Sequence, residues 1–162
     1  MSVTIRPARP ADAGLIYALV CELADYERLT HDVDSTEQQI ASALFGPQPR
    51  VFCYLAEWNG EAVGFALWFL NFSTFRGRHG LYLEDIFVRP AMRGKGIGKA
   101  LMQQLARHCV ERGYARFEWT VLDWNEPSIE FYRSIGADVL NDWRVCRMSG
   151  EALTKFARQE AR

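Results

Sequence analysis

The sequence predicts an α/β fold, a central mixed sheet with helices on both faces. Three observations carry that expectation. Strand-like and helix-like segments alternate along the whole 162-residue chain. Asn59-Gly60, the strongest short hairpin signal, joins two long apolar runs. An apolar strand pattern, Leu81–Val88, passes through Pro90 and a glycine-rich turn directly into a long helix. At 49% apolar, a chain of this length can bury one core, so residues 1–162 are expected to form a single domain.

Each element has a local reason. Val3-Thr4-Ile5-Arg6 reads as a first strand that Pro7 ends. From Pro10 to about Glu27, Leu15, Ile16, Leu19, Val20 and Leu23 recur at helical spacing. Ser35 or Thr36 can cap a second helix to Phe45, stopped by Gly46-Pro47. Val51–Trp58 and Ala62–Phe72 are the hairpin strands, and Leu81–Val88 is the next strand. The helix from Lys99 to Arg112 carries a stripe of Leu101, Met102, Leu105, Cys109 and Val110, and Gly113 ends it. Phe117–Leu122 reads as a strand, and Pro127 opens a helix that closes at Gly136. Ala137–Leu140 and Arg144–Met148 read as short strands around Asn141-Asp142, and Glu151–Ala161 as a terminal helix.

Composition narrows the partners. A net charge of −1 gives no global pull toward nucleic acid or an anionic membrane. The longest apolar run, Phe65–Leu70, is far too short to span a bilayer. No secretion signal is evident at the N-terminus, and Cys21, Cys53, Cys109 and Cys146 lack paired spacing, so buried free thiols of a cytoplasmic protein are expected. His31, His79 and His108 show no ligand spacing, so no metal site is expected. The charge is segregated: Glu22, Asp25, Glu27, Asp32, Asp34 and Glu37 cluster early, while Arg76, Arg78, Arg89, Arg93, Lys95 and Lys99 cluster later. Two solvated faces would account for this, as would a cationic substrate beside an anionic cofactor.

The glycine-rich turn holds the chemistry. In Arg93-Gly94-Lys95-Gly96-Ile97-Gly98, glycines let successive N–H groups point into one concavity, and the helix start adds unpaired N–H groups and a positive dipole end. With Arg93, Lys95 and Lys99 this reads either as an anion site for a phosphate or pyrophosphate or as a plain tight connection between strand and helix. Neither the dinucleotide fingerprint nor the triphosphate loop fits, because Gly98 is followed by Lys99-Ala100.

With Arg93-x-x-Gly96-x-Gly98, this order of elements, and Asn125-Glu126-Pro127-Ser128-Ile129-Glu130-Phe131-Tyr132, the chain resembles the GNAT N-acetyltransferases over nearly its whole length. Glu22–Glu27, Leu81–Asp85, Val121–Asn125 and Phe131-Tyr132 are more similar to the diamine (spermidine/spermine) and thialysine N-acetyltransferases. The stretch Asn71–Arg78 looks more like the thialysine branch. The resemblance implies the GNAT fold and acetyl-coenzyme A as donor, held in a V between the strands at 81–88 and 117–122. It also implies pyrophosphate on the backbone of Gly94, Lys95, Gly96, Ile97, Gly98 and Lys99, with Arg93 beside it. Main-chain groups of Ile86, Phe87 and Val88 would pair with the pantetheine arm and supply an oxyanion donor.

The acceptor must arrive as a free amine although an alkylammonium has a pKa near ~10.4, so a base is needed. The resemblance points to Glu84, whose structural alternative is a pair with Arg89 or Arg93. It points to Tyr132 as the acid that protonates the departing thiolate, with Phe131 as its core neighbour. Asn125 would bond coenzyme A amides or simply cap its helix. Asp85, Tyr26 and Glu27 are candidates for holding a cationic substrate. Arg76, with Arg78, would hold a substrate carboxylate or the 3′-phosphate of coenzyme A.

The expectation is a cytoplasmic N-acetyltransferase moving acetyl to the primary amine of a thialysine- or lysine-like amino acid or a diamine, by direct attack in a ternary complex. A homodimer is implied by the resemblance, with Trp143 a candidate interface residue. A protein acetyltransferase and a non-catalytic acetyl-coenzyme A sensor are the alternatives.

Overall fold

The computed structural model describes residues 2–159 and divides into two compact units, residues 1–120 and 121–162. The first unit is built on a five-stranded sheet in the order β1-β2-β3-β4-β5: Val3–Pro7, Val51–Trp58, Glu61–Ser73, Arg78–Val88 and Phe117–Glu118. The first four strands pair antiparallel, and β5 runs parallel to β4. The parallel step requires a crossover, which α3 (Ile97–Arg112) supplies.

The Asn59-Gly60 turn forms as its sequence requires. Both residues are left-handed, at φ 53° and 83°, the backbone that matches the twist of two antiparallel strands. Helix α1 (Ala13–Tyr26) follows a 3-10 turn at Pro10–Asp12, and α2 is Glu37–Phe45. Thr36 caps α2, accepting from the Gln39 N–H while the Gln39 side chain accepts from the Thr36 N–H.

The pleat sends alternate residues to two faces. Cys53, Leu55, Phe65, Leu67 and Phe87 meet Ile16, Leu19 and Leu23 of α1 and Leu44 of α2 in one core. On the other face Tyr54 stacks on Trp68 at 4.6 Å between ring centroids, and both meet His108 of α3. The helices therefore cover both faces, as the alternation of segments predicts.

The second unit holds α4 (Glu126–Ser134) and α5 (Gly150–Ala157). It corrects two expectations. Residues 137–148 form no strand among the described residues, and β5 covers only Phe117–Glu118 rather than 117–122. Strand propensity is realised only where a neighbouring strand takes up the N–H and C=O groups. The apolar residues of that stretch, Leu140, Trp143, Val145 and Met148, are exposed. Cys146 lies there too and is exposed, and Cys21 is half-buried, so only Cys53 and Cys109 are the buried thiols expected. The end of the predicted terminal helix, residues 160–162, lies outside the described residues. No helix among the described residues is long and apolar enough to cross a membrane.

Candidate active site

Strand β4 organises the site in the first unit. Along β3 it pairs from Arg78 to Val88, but along β5 only at Leu81 and Tyr82. Beyond Tyr82 the two parallel strands part, so the edge of residues 84–88 facing away from β3 is not used by the sheet. An open strand edge needs partners for its N–H and C=O groups. An extended, amide-bearing arm fits it.

A β-bulge interrupts β4 at the same place. Leu67 opposes Asp85 while Trp68 opposes Leu83, which leaves Glu84 as the extra residue. The bulge turns Glu84 out to solvent, and Asp85 takes the face of Cys53, Leu67 and Phe87. Burial pushes the Asp85 carboxyl up to about 7, with Glu84 and then Glu27 adding like charge. Burial also raises Glu27, at the C-terminal cap of α1. Two carboxylates thus act on the Asp85 carboxyl where β4 meets the end of α1.

Neither candidate partner of Glu84 engages it. Arg89 donates from Nε and Nη2 to the Glu22 carboxylate at 2.9–3.3 Å and from Nη1 to the Ala62 carbonyl, tying the β4 end to α1. Arg93 stacks on Tyr26, its guanidinium carbon 4.2 Å from the ring centroid.

The glycine loop follows β4 through a 3-10 turn at Pro90–Met92. Gly94 and Gly96 adopt φ of +77° and +78°, where any side chain is strained. Gly98 has no such angle, and a Cβ there would meet nothing within 4 Å. The fold itself does not demand a glycine at 98, and the absence of a side chain leaves that backbone bare. Ile97 is buried and anchors the first turn of α3, so the N–H groups of its start are held in place. Lys95 and Lys99 are exposed at the loop, with the Lys95 ammonium 5.6 Å from the Trp58 ring. The loop is therefore open on the side where a diphosphate would lie.

Arg76 is not brought to this place. It stands at the turn between β3 and β4, its N–H bonded to Ser73 Oγ. β4 is 11 residues long, so its start lies about 30 Å from the glycine loop and, at Arg78, about 20 Å from Glu84. Within one chain this separation argues against both the carboxylate role beside Glu84 and the 3′-phosphate role for Arg76 and Arg78. Their closeness in sequence to the strand concealed the strand's length.

In the second unit Asn125 caps α4, its side chain accepting from the Ser128 N–H at 3.4 Å. Ile129 and Tyr132 are the buried residues of that helix, and Phe131 is half-exposed. Phe131, expected as the core neighbour of Tyr132, is thus the less buried of the two, and Tyr132 shares its face with Ile129, since positions three apart lie on one side of a helix.

Sequence reasoning missed Gly64. It opposes Val88, and a Cβ there would stand 2.6 Å from the Phe87 carbonyl oxygen and 3.2 Å from the Val88 Cα. Only the strand register reveals such a contact. Gly64→Ala should force the open β4 edge to shift, costing about 1–3 kcal/mol. Thermal melting would register this as a fall of roughly 2–4 °C per kcal/mol, and a melting temperature equal to the parent's would contradict the close approach.

The comparisons with known proteins agree with this geometry. The acetyltransferase (GNAT) family profile matches residues 16–137. The chain is 36% identical to a thialysine N-epsilon-acetyltransferase of Sus scrofa, covering 96% of this chain and 98% of that one. It is 34% identical to an L-ornithine N5-acetyltransferase of Arabidopsis thaliana, covering 92% and 85%. Among solved structures, an integron cassette protein from the mobile metagenome of V. cholerae superposes with a TM-score of 0.81 at 30% identity, covering 98% and 99%. A glycine loop at the end of a splayed, bulged strand is consistent with these likenesses, which show that the chain belongs to the GNAT family of acetyltransferases and is an N-acetyltransferase.

Proposed function

We propose that this enzyme moves acetyl from acetyl-coenzyme A to the primary amine of a small cationic acceptor, a lysine-, thialysine- or ornithine-like amino acid or a diamine. The observation that carries the reading is one strand, β4, that bears an open edge, a bulged carboxylate pair and an anion loop in succession. The names of the relatives, thialysine and L-ornithine acetyltransferases, support an amino-acid acceptor. The arginine argument does not, since Arg76 and Arg78 stand at the far end of β4.

Acetyl-coenzyme A supplies the thioester carbonyl that the amine attacks. Backbone N–H groups of residues 94–99 bind its pyrophosphate, and main-chain groups of Ile86, Phe87 and Val88 hold the arm and polarise the carbonyl. Asp85, Glu27 and Tyr26 hold the ammonium by charge and by the ring face. Glu84, exposed and free of Arg89 and Arg93, takes a proton from the amine, directly or through water. Tyr132 gives a proton to the departing sulfur, and Asn125 bonds amide groups of the arm. Direct transfer is supported by the thiols, since burial pushes Cys53 up to about 12 and Cys109 up to about 11, keeping both protonated and poor nucleophiles.

The two units serve one acetyltransferase domain, as a family match running from residue 16 to 137 supports. A cytoplasmic homodimer is part of the same reading, and the exposed Trp143, Val145 and Met148 support it; light scattering at the mass of one 18.6 kDa chain would contradict it.

The test is release of coenzyme A at about pH 8 with thialysine, lysine, ornithine, putrescine, spermidine and a lysine peptide. Amino acids or diamines ahead of the peptide support the proposal. The peptide ahead would favour a protein acetyltransferase, and silence with acetyl-coenzyme A bound would favour a sensor. Replacing both Arg76 and Arg78 by Ala should leave coenzyme A affinity within about threefold, whereas a loss beyond about tenfold, near 1.4 kcal/mol, would place them on the cofactor.

A further inference from the structure

One guanidinium joins the two halves of the proposed site. The Arg93 carbon lies 4.2 Å from the Tyr26 ring centroid and 5.8 Å from that of Phe87, and Arg93 Nε donates to the Val88 carbonyl at 3.1 Å. The Tyr26 and Phe87 rings are themselves 6.5 Å apart. Three elements therefore meet at Arg93: the start of the anion loop, the end of the open strand edge, and the end of α1.

The end of α1 carries the acceptor side. Tyr26 is its last residue and Glu27 its cap, and Glu27 acts electrostatically on Asp85. The chain then closes on itself, the Arg28 N–H donating to Asp25 O at 3.0 Å and the Leu29 N–H to Ala24 O at 2.8 Å. This closure puts Arg28 in the left-handed region at φ 62°, where glycine usually sits. Tyr26 and Arg28 are exposed at this helix end, and helix ends are where local opening of a fold concentrates.

We propose that Arg93 is a positioning residue that couples cofactor binding to the acceptor side: a diphosphate on the loop fixes Arg93, Arg93 fixes the Tyr26 ring, and the end of α1 with Glu27 is set for the amine. The inference rests on the function proposed above and adds to it a thermodynamic link between its two ligands. Arginine suits the task because a planar guanidinium can lie on a ring while its edge nitrogens still donate to an anion. A lysine ammonium keeps the charge but cannot do both. Lys95 is the internal comparison, a loop cation set over Trp58 at the β2 end rather than over α1. By linkage, whatever affinity the diphosphate adds for the amine, the amine returns for the diphosphate.

The experiment reads amide hydrogen exchange of residues 24–29 in the full chain, with and without saturating coenzyme A. In the parent protein, coenzyme A should slow exchange there by about tenfold, within the usual range of such couplings. Arg93→Lys, Arg93→Gln and Tyr26→Leu, each held at its own saturating coenzyme A, should lose most of that slowing. A purely structural Arg93 would loosen the helix end equally with and without coenzyme A. Equal slowing in Arg93→Lys and the parent would overturn the proposal. So would a parent that binds coenzyme A with no change at 24–29. A parent that fails to bind coenzyme A at all would instead sink the proposed function, and the coupling with it.

Discussion

Tyr132→Phe is expected to lower kcat by roughly 10²-fold or more while coenzyme A affinity changes by less than about threefold. The substitution keeps the ring, which is buried with Ile129 on one face of α4, and removes only the hydroxyl. A departing thiolate that receives no proton is a poorer leaving group in the transition state, so the loss should fall on kcat rather than on donor binding. Steady-state rates and a separate titration with coenzyme A would check both. An unaltered kcat would remove Tyr132 from the acid role.

Asp85→Asn should cost about 10²-fold in kcat/KM for a cationic acceptor, the scale expected when one member of a buried charge contact is lost. It should cost far less for donor binding, because Asp85 faces α1 and not the glycine loop. The pH dependence has a definite sign. The native carboxyl is pushed up to about 7 by burial and by Glu84 and Glu27, well above the ~3.9 of an unfolded aspartate. The folded chain therefore holds that proton more tightly than the unfolded chain, and stability from this group is lost as pH rises from about 4 through 7. Parent activity should climb through about pH 7 as the anion that attracts the ammonium forms, and Asp85→Asn should lack that limb. In thermal melts the variant should gain on the parent at pH 8 and lose that advantage near pH 4. A parent profile flat between pH 6 and 8 would contradict the assignment.

Both predictions depend on residues whose type was readable from the sequence but whose surroundings were not. Glu84 and Asp85 are adjacent letters, and a regular strand would place them on opposite faces. Counted by regular alternation from Leu83, Asp85 would share the face of Leu83 and Trp68; the bulge leaves Glu84 as the extra, exposed residue and moves Asp85 to the face of Leu67. Nothing in the local pattern of Leu81–Val88 encodes it, since a bulge is a mismatch between two strands. The same holds for Gly64, whose need for no side chain arises from β4 lying across it, and for Arg93, which reads as a phosphate ligand until the ring of Tyr26 is found beneath it.

Local chemistry determined what was legible. Asn59-Gly60, the Thr36 cap with Gln39, Gly113 after α3 and the glycine loop before it each act within a few residues. The sequence by itself therefore determined the element order through residue 118, the turn types, the glycine loop and the family. Long-range pairing decided the rest: the parting of β4 and β5 beyond Tyr82, the bulge, the elevated Asp85, the distance of Arg76 from Glu84, and the absence of strands in residues 137–148 among the described residues. Turns and caps satisfy their own hydrogen bonds, so neighbours in sequence suffice to specify them. A strand edge, a buried carboxylate or an aromatic seat for a guanidinium is defined by atoms that only the folded chain brings near.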